Sequence, residues 1–69
     1  MEYPKISLKA ARINAGLTQT EASKALNISP DTLRNYETGR TVPDWDKVNQ
    51  MEELYGISIN YLKFTHDSD

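Results

Sequence analysis

The chain of 69 residues has no cysteine and a single histidine, His66. It therefore holds no disulfide framework and no thiolate zinc site, and one histidine does not make a metal cluster. No apolar run approaches the roughly 20 residues that a membrane-spanning helix needs. The N-terminus lacks a hydrophobic signal region, so the expectation is a cytoplasmic protein; the missing cysteines agree with a reducing compartment. There is no glycine-rich phosphate loop, no metal-ligand spacing and no nucleophile signature, so neither an enzyme nor a cofactor is expected. A chain this short buries only about 60% of its unfolded surface, which leaves little room for a small-molecule pocket. Positive charge is scarce too, with a formal net charge of −2. On its own that balance points to a protein partner, because nucleic-acid-binding domains are usually basic.

The charge that is present is unevenly placed. Up to Pro43, Lys5, Lys9, Arg12, Lys24, Arg34 and Arg40 stand against Glu2, Glu21, Asp31 and Glu37, a net +2. From Asp44 on, Lys47 and Lys63 stand against Asp44, Asp46, Glu52, Glu53, Asp67 and Asp69, a net −4. A weakly basic front is joined to an acidic rear.

The organising stretch is Thr18 to Glu37. Thr18 followed by Glu21 is a capping box: the hydroxyl accepts from the Glu21 amide and the carboxylate reaches back to the Thr18 amide. A helix is predicted from Gln19 to about Leu26, ended by Asn27 in the left-handed conformation. Ser29 caps a second helix that opens on Pro30, where proline's missing N–H costs nothing. Two helices joined by a turn of three or four residues form a helix-turn-helix. Ala22, Leu26, Ile28, Leu33 and Tyr36 supply its buried side. Pro30, Asp31, Arg34 and Asn35 face outward, with Thr32 at the edge.

The flanks read as further short helices. Ser7 caps one from Leu8 to about Ala15, with Leu8, Ala11 and Ala15 as its buried stripe and Ile13 off it. Gly16 ends it. Gly39 ends the helix that starts at Pro30, and Pro43 pushes Val42 into a loop. Asp44 caps a fourth helix in which Trp45, Val48, Met51 and Tyr55 face the core. Gly56 ends that one, and Ser58 caps a short fifth with Ile59, Leu62 and Phe64. Residues 1–7 read as an irregular extension and 65–69 as a polar tail. The expectation is an all-α, compact five-helix bundle over 8–64 with no strand.

In this order the pieces Leu8-x-x-x-Arg12, Gly16-Leu17-Thr18-Gln19-x-Glu21, Leu26-Asn27-Ile28-Ser29, Thr32-Leu33-x-x-Tyr36-Glu37-x-Gly39-Arg40-x-x-Pro43 and Tyr55-Gly56-Ile57-Ser58-Ile59-Asn60-Tyr61-Leu62 resemble the Cro/phage-repressor (XRE) type of helix-turn-helix domain. The resemblance runs from Leu8 to about Phe64. It implies a lambda-repressor-like bundle, a transcriptional regulator (a repressor of prokaryotic or phage type), a homodimer, and a recognition helix at about 30–38 lying in the major groove of double-stranded DNA. It also implies an ion pair between Arg12 and Glu37, and a Gln19 that touches the DNA backbone and braces the recognition helix. The chain departs from the pattern at Ala22, Ser23 and Asn27, where relatives have leucine, alanine and glycine. It departs again at Pro30, where some relatives place a base-contacting polar residue.

Side-chain chemistry then nominates the readers. Arg34 suits guanine O6 and N7 or, instead, a carboxylate or phosphate; Asn35 suits adenine N6 and N7. Asp31 accepts from cytosine N4, though a carboxylate in a first helical turn is also favoured by the helix dipole. Pro30 offers van der Waals contact to a thymine methyl. Gln19, Thr32 and Arg40 are candidates for phosphate, against the alternatives of a capping residue, a bond back to its own helix and a solvated loop charge. Ile57, Ile59, Leu62 and Phe64 are read either as a dimer surface or as core closure. The competing reading of the whole chain is a protein-interaction module, the partner of a toxin or an anti-repressor, with weak or no DNA binding.

Overall fold

The computed structural model describes residues 5–64; the tail from Thr65 with His66, and the first four residues, lie outside them. The element order is β1 (Ile6–Ser7), α1 (Leu8–Asn14), α2 (Gln19–Ala25), α3 (Pro30–Glu37), α4 (Trp45–Tyr55), a one-turn 3-10 helix (Ile59–Tyr61) and β2 (Leu62–Lys63).

Each α-helix opens in the same way. Ser7, Thr18, Ser29 and Asp44 hold extended backbone and accept a hydrogen bond from the amide three residues on. The capping box at Thr18 is complete in both directions, at 3.1 and 2.9 Å. Each also closes in the same way, on Gly16, Asn27, Gly39 or Gly56 at positive φ. The amide that follows the left-handed residue then returns to the last turn: Leu17 to Arg12 O, Ile28 to Ser23 O, Arg40 to Asn35 O, Ile57 to Glu52 O. In three of these exits that residue is apolar and packs on the core: Leu17, Ile28 and Ile57. At the end of α3 it is Arg40, which is exposed.

The core is Leu8, Ala11, Ala22, Leu26, Leu33, Met51, Tyr55 and Leu62, with Ile6, Leu17, Ile28, Tyr36, Leu54, Ile57 and Phe64 packed around it. Ala22 and Ser23 are almost fully buried, and the Ser23 hydroxyl bonds back to Thr20 O at 3.0 Å. Small side chains there let α2 pack closely while the one polar atom stays satisfied.

Four expectations are corrected. The described residues hold four α-helices, and the fifth segment is a single 3-10 turn. There is strand: Ile6 and Ser7 pair in parallel with Leu62 and Lys63, so the approach to α1 is not irregular. Ala15 is exposed; Arg12, four residues after Leu8, takes the buried place on α1 instead. Trp45 is 65% exposed, so it does not enter the core. Pro43, two residues earlier, is buried instead.

Candidate nucleic-acid interface

α3 is held from one side and open on the other. Leu33 is fully buried, and Tyr36 packs against the core. Glu37, at the end of the helix, has a carboxylate only 3% exposed, with Arg12 Nε 2.7 Å away. A second guanidinium nitrogen, Nη2, lies 3.4 Å from Glu37 Oε1, and Gln19 Nε2 donates to that same oxygen at 3.1 Å. Arg12 Nη1 donates to Leu17 O at 2.9 Å. One carboxylate of α3 thus receives three donors from α1 and α2, which is why a buried charge is tolerated here. Tyr55 of α4 enters the same cluster. Burial, and then the Glu37 charge, push its phenol up to about 12, offset in part by Arg12. Among the described residues the hydroxyl has no hydrogen-bond partner.

The opposite face carries the residues nominated as readers. Pro30, Asp31 and Arg34 are exposed, while Thr32 and Asn35 are half-buried. Arg34 Nη2 stands 3.9 Å from Asp31 Oδ1, with side chains 64% and 87% exposed, so water screens the pair and the guanidinium is not locked. The Thr32 hydroxyl is 2.9 Å from that of Ser29, which realises its bond back to its own helix. Asn35 anchors the exit loop through its carbonyl, which accepts from the Arg40 and Thr41 amides at 2.9 and 3.3 Å. Gln19 is half-buried through its bond to Glu37, so the brace is present in the structure.

Two supports carry no sequence signal. Lys47 Nζ donates to Leu26 O at 2.9 Å, tying α4 to the exposed carbonyl end of α2. Glu52 Oε2 accepts from the Ile59 amide at 2.6 Å and fixes the start of the 3-10 turn. Of the residues read as dimer surface or core closure, Leu62 is buried in the core, and Ile57 and Phe64 pack against it.

Among the described residues no group of His, Asp or Glu side chains is placed to hold a metal ion, and no helix is long and apolar enough to cross a membrane. An open groove between α2 and α4 is lined by Ala25, Leu26, Gln50, Glu53 and Leu54. Nothing in that lining converges on a ligand.

The chain matches a family described as helix-turn-helix over residues 8–62. It is 46% identical over 55 residues to the HTH-type transcriptional regulator ImmR of Bacillus subtilis (strain 168), a stretch that covers 80% of this chain and 43% of that protein. It is 25% identical over 59 residues to multiprotein-bridging factor 1a of Arabidopsis thaliana, covering 86% and 42%. It is 27% identical over 59 residues to endothelial differentiation-related factor 1 of Homo sapiens, covering 86% and 39%. The chain thus spans less than half the length of these curated relatives. No solved structure matches it.

Proposed function

Since the chain belongs to the helix-turn-helix family, we propose that it is a sequence-specific double-stranded DNA-binding transcriptional regulator, a repressor of prokaryotic or phage type working in the cytoplasm. The observation that carries this is the two-sidedness of α3. Its inward side is fixed by Leu33 and the Glu37 cluster, while Pro30, Asp31 and Arg34 are exposed. A helix held rigidly with a free polar face suits the major groove, whose edges it reads by hydrogen bonding.

In this reading Arg34 takes guanine, Asn35 adenine, Asp31 the amino group of cytosine, and Pro30 a thymine methyl. Gln19 uses its second amide hydrogen, and Thr32 its hydroxyl, on phosphate. Arg40, exposed beyond the end of α3, takes a phosphate. Two copies bind a near-palindromic site with half-sites roughly 34 Å apart.

The acidic stretch from Asp44 and the likeness to proteins named multiprotein-bridging factor support a second reading, a protein-interaction module. Titration against mixed genomic DNA at low and moderate salt separates the two. The regulator gives a discrete footprint that survives moderate salt. The absence of binding even at low salt hands the chain to the second reading.

A further inference from the structure

The two ends of α3 are held by different means. The C-terminal end is fixed by Glu37, which Arg12 and Gln19 both grip. The N-terminal end hangs on the turn Leu26-Asn27-Ile28-Ser29. Within the motif that turn is tied by the Ile28 amide, which donates to Ser23 O at 2.9 Å, and by Ile28 packing on the core. From outside the motif it is tied by Lys47, whose Nζ donates to Leu26 O at 2.9 Å.

Lys47 is suited to that hold. It is half-buried beside the buried Val48, and its own amide donates to Asp44 Oδ1 at 2.9 Å, so the side chain rises from a fixed point. Among the described residues its ammonium makes no ion pair; the charge goes to a peptide carbonyl. Within α4 the residue stands in the first turn, where the helix dipole disfavours a cation. Leu26 caps the carbonyl end of α2, where the same dipole effect favours one. The lysine therefore serves α2 and the turn rather than its own helix.

We propose that Lys47 is a positioning residue for DNA reading: from α4 it sets the turn, and through the turn the angle at which the first residues of α3 meet the bases. The proposal rests on the DNA-binding reading and assigns part of its specificity to a residue outside the motif. The lever can be sized. Asp31 stands six residues before Glu37 and Asn35 two, which is about 9 Å and about 3 Å along the axis. A tilt of roughly 6° about Glu37 moves Asp31 by about 1 Å and Asn35 by about 0.3 Å. Donor–acceptor distances run only from about 2.7 to 3.2 Å, so the first displacement breaks a bond to a base edge and the second does not. Losing the lysine's bond thus blurs one end of the half-site and spares the other. A lysine on phosphate acts differently, since its loss weakens binding to all sequences alike.

Lys47→Met removes the donor and keeps the stem; Lys47→Arg keeps a donor and the charge. Both are compared with the parent 69-residue chain, by amide exchange without DNA and by selection from a random duplex pool. Without DNA, Lys47→Met should speed exchange of the Ile28 amide about tenfold relative to that of Leu17, which closes the exit of α1 in the same way on Arg12 O. On DNA it should keep the preference at the position that Asn35→Ala relaxes and lose about tenfold at the other end of the half-site. The slope of log K against log salt should not change, and Lys47→Arg should restore the parent profile. A slope shallower by about one makes Lys47 a phosphate contact. Preference relaxed equally at every position, or at none, leaves it no positioning role. Each of these overturns the proposal while DNA binding stands. So does an Ile28 amide that exchanges no faster relative to Leu17, whether or not DNA is bound. A parent that binds no duplex at low salt overturns the DNA-binding reading, and the role of Lys47 falls with it.

Discussion

Glu37 is central to the placement of α3, because Arg12 of α1 and Gln19 of α2 both grip its carboxylate. Glu37→Gln leaves the Arg12 guanidinium buried without a counter-charge and should cost roughly 3–5 kcal/mol. For a chain of this length that is a large fraction of total stability, and urea denaturation should show most of it lost. Replacing Arg12 and Glu37 together by leucine should recover much of that loss, since no lone charge remains. Tyr55 gives a second residue-level expectation. Its phenol is raised above the ordinary value near 10 to about 12 in the fold, so folding favours the neutral form. That contribution is complete below pH 10 and disappears as pH rises from 10 to 12. A melting-temperature series should show the parent losing stability across that window and Tyr55→Phe losing less. At this scale the sequence was only partly legible. The Arg12–Glu37 pair followed from a family resemblance; periodicity alone made Ala15 the buried residue. Lys47 and Glu52 act on backbone groups 21 and 7 residues away, and no local pattern announces either. Trp45 misled because helical spacing cannot tell the first turn of α4, at the edge of the bundle, from the middle.

Elements were easier to read than residues, because their boundaries are set by short-range chemistry. Hydroxyl and carboxylate caps opened all four helices, and positive-φ exits closed them, where the sequence placed them. Asn27 is the instructive exit, since it holds φ 59° without being glycine. Asn27→Val should cost about 1–2 kcal/mol, because a β-branched side chain collides with its own backbone there; Asn27→Gly should be neutral or slightly stabilising. Urea midpoints of the two variants check this, and equal destabilisation by both would contradict it. The segment after Gly56 opens on Ser58 as read but makes one 3-10 turn and then strand, for a physical reason. Its fate is decided by pairing with Ile6 and Ser7, more than fifty residues away in sequence, and cap chemistry contains no information about such a partner. The ladder is only two residues long on each side, too short for an alternating pattern to show.

At the scale of the molecule the negative net charge pointed away from DNA, and only its uneven distribution and the exposed face of α3 pointed back. That weak positive charge has a measurable consequence. If a dimer neutralises four to six phosphates, log K should fall against log salt with a slope of roughly −4 to −5. A flat dependence would mean that the backbone is not contacted. The fold class and the helix-turn-helix were legible; the exposure of Trp45 was not, because it depends on which side of α4 the rest of the chain leaves uncovered. The central claim is that the free face of α3 reads base edges, and selection of bound duplexes from a random pool, run in parallel for the parent, Arg34→Ala and Asn35→Ala, tests it most directly. The account predicts one enriched half-site for the parent and, for each variant, a preference relaxed at a single position by about 1–3 kcal/mol. A parent that enriches nothing, or variants that select the same site with undiminished preference, would contradict it.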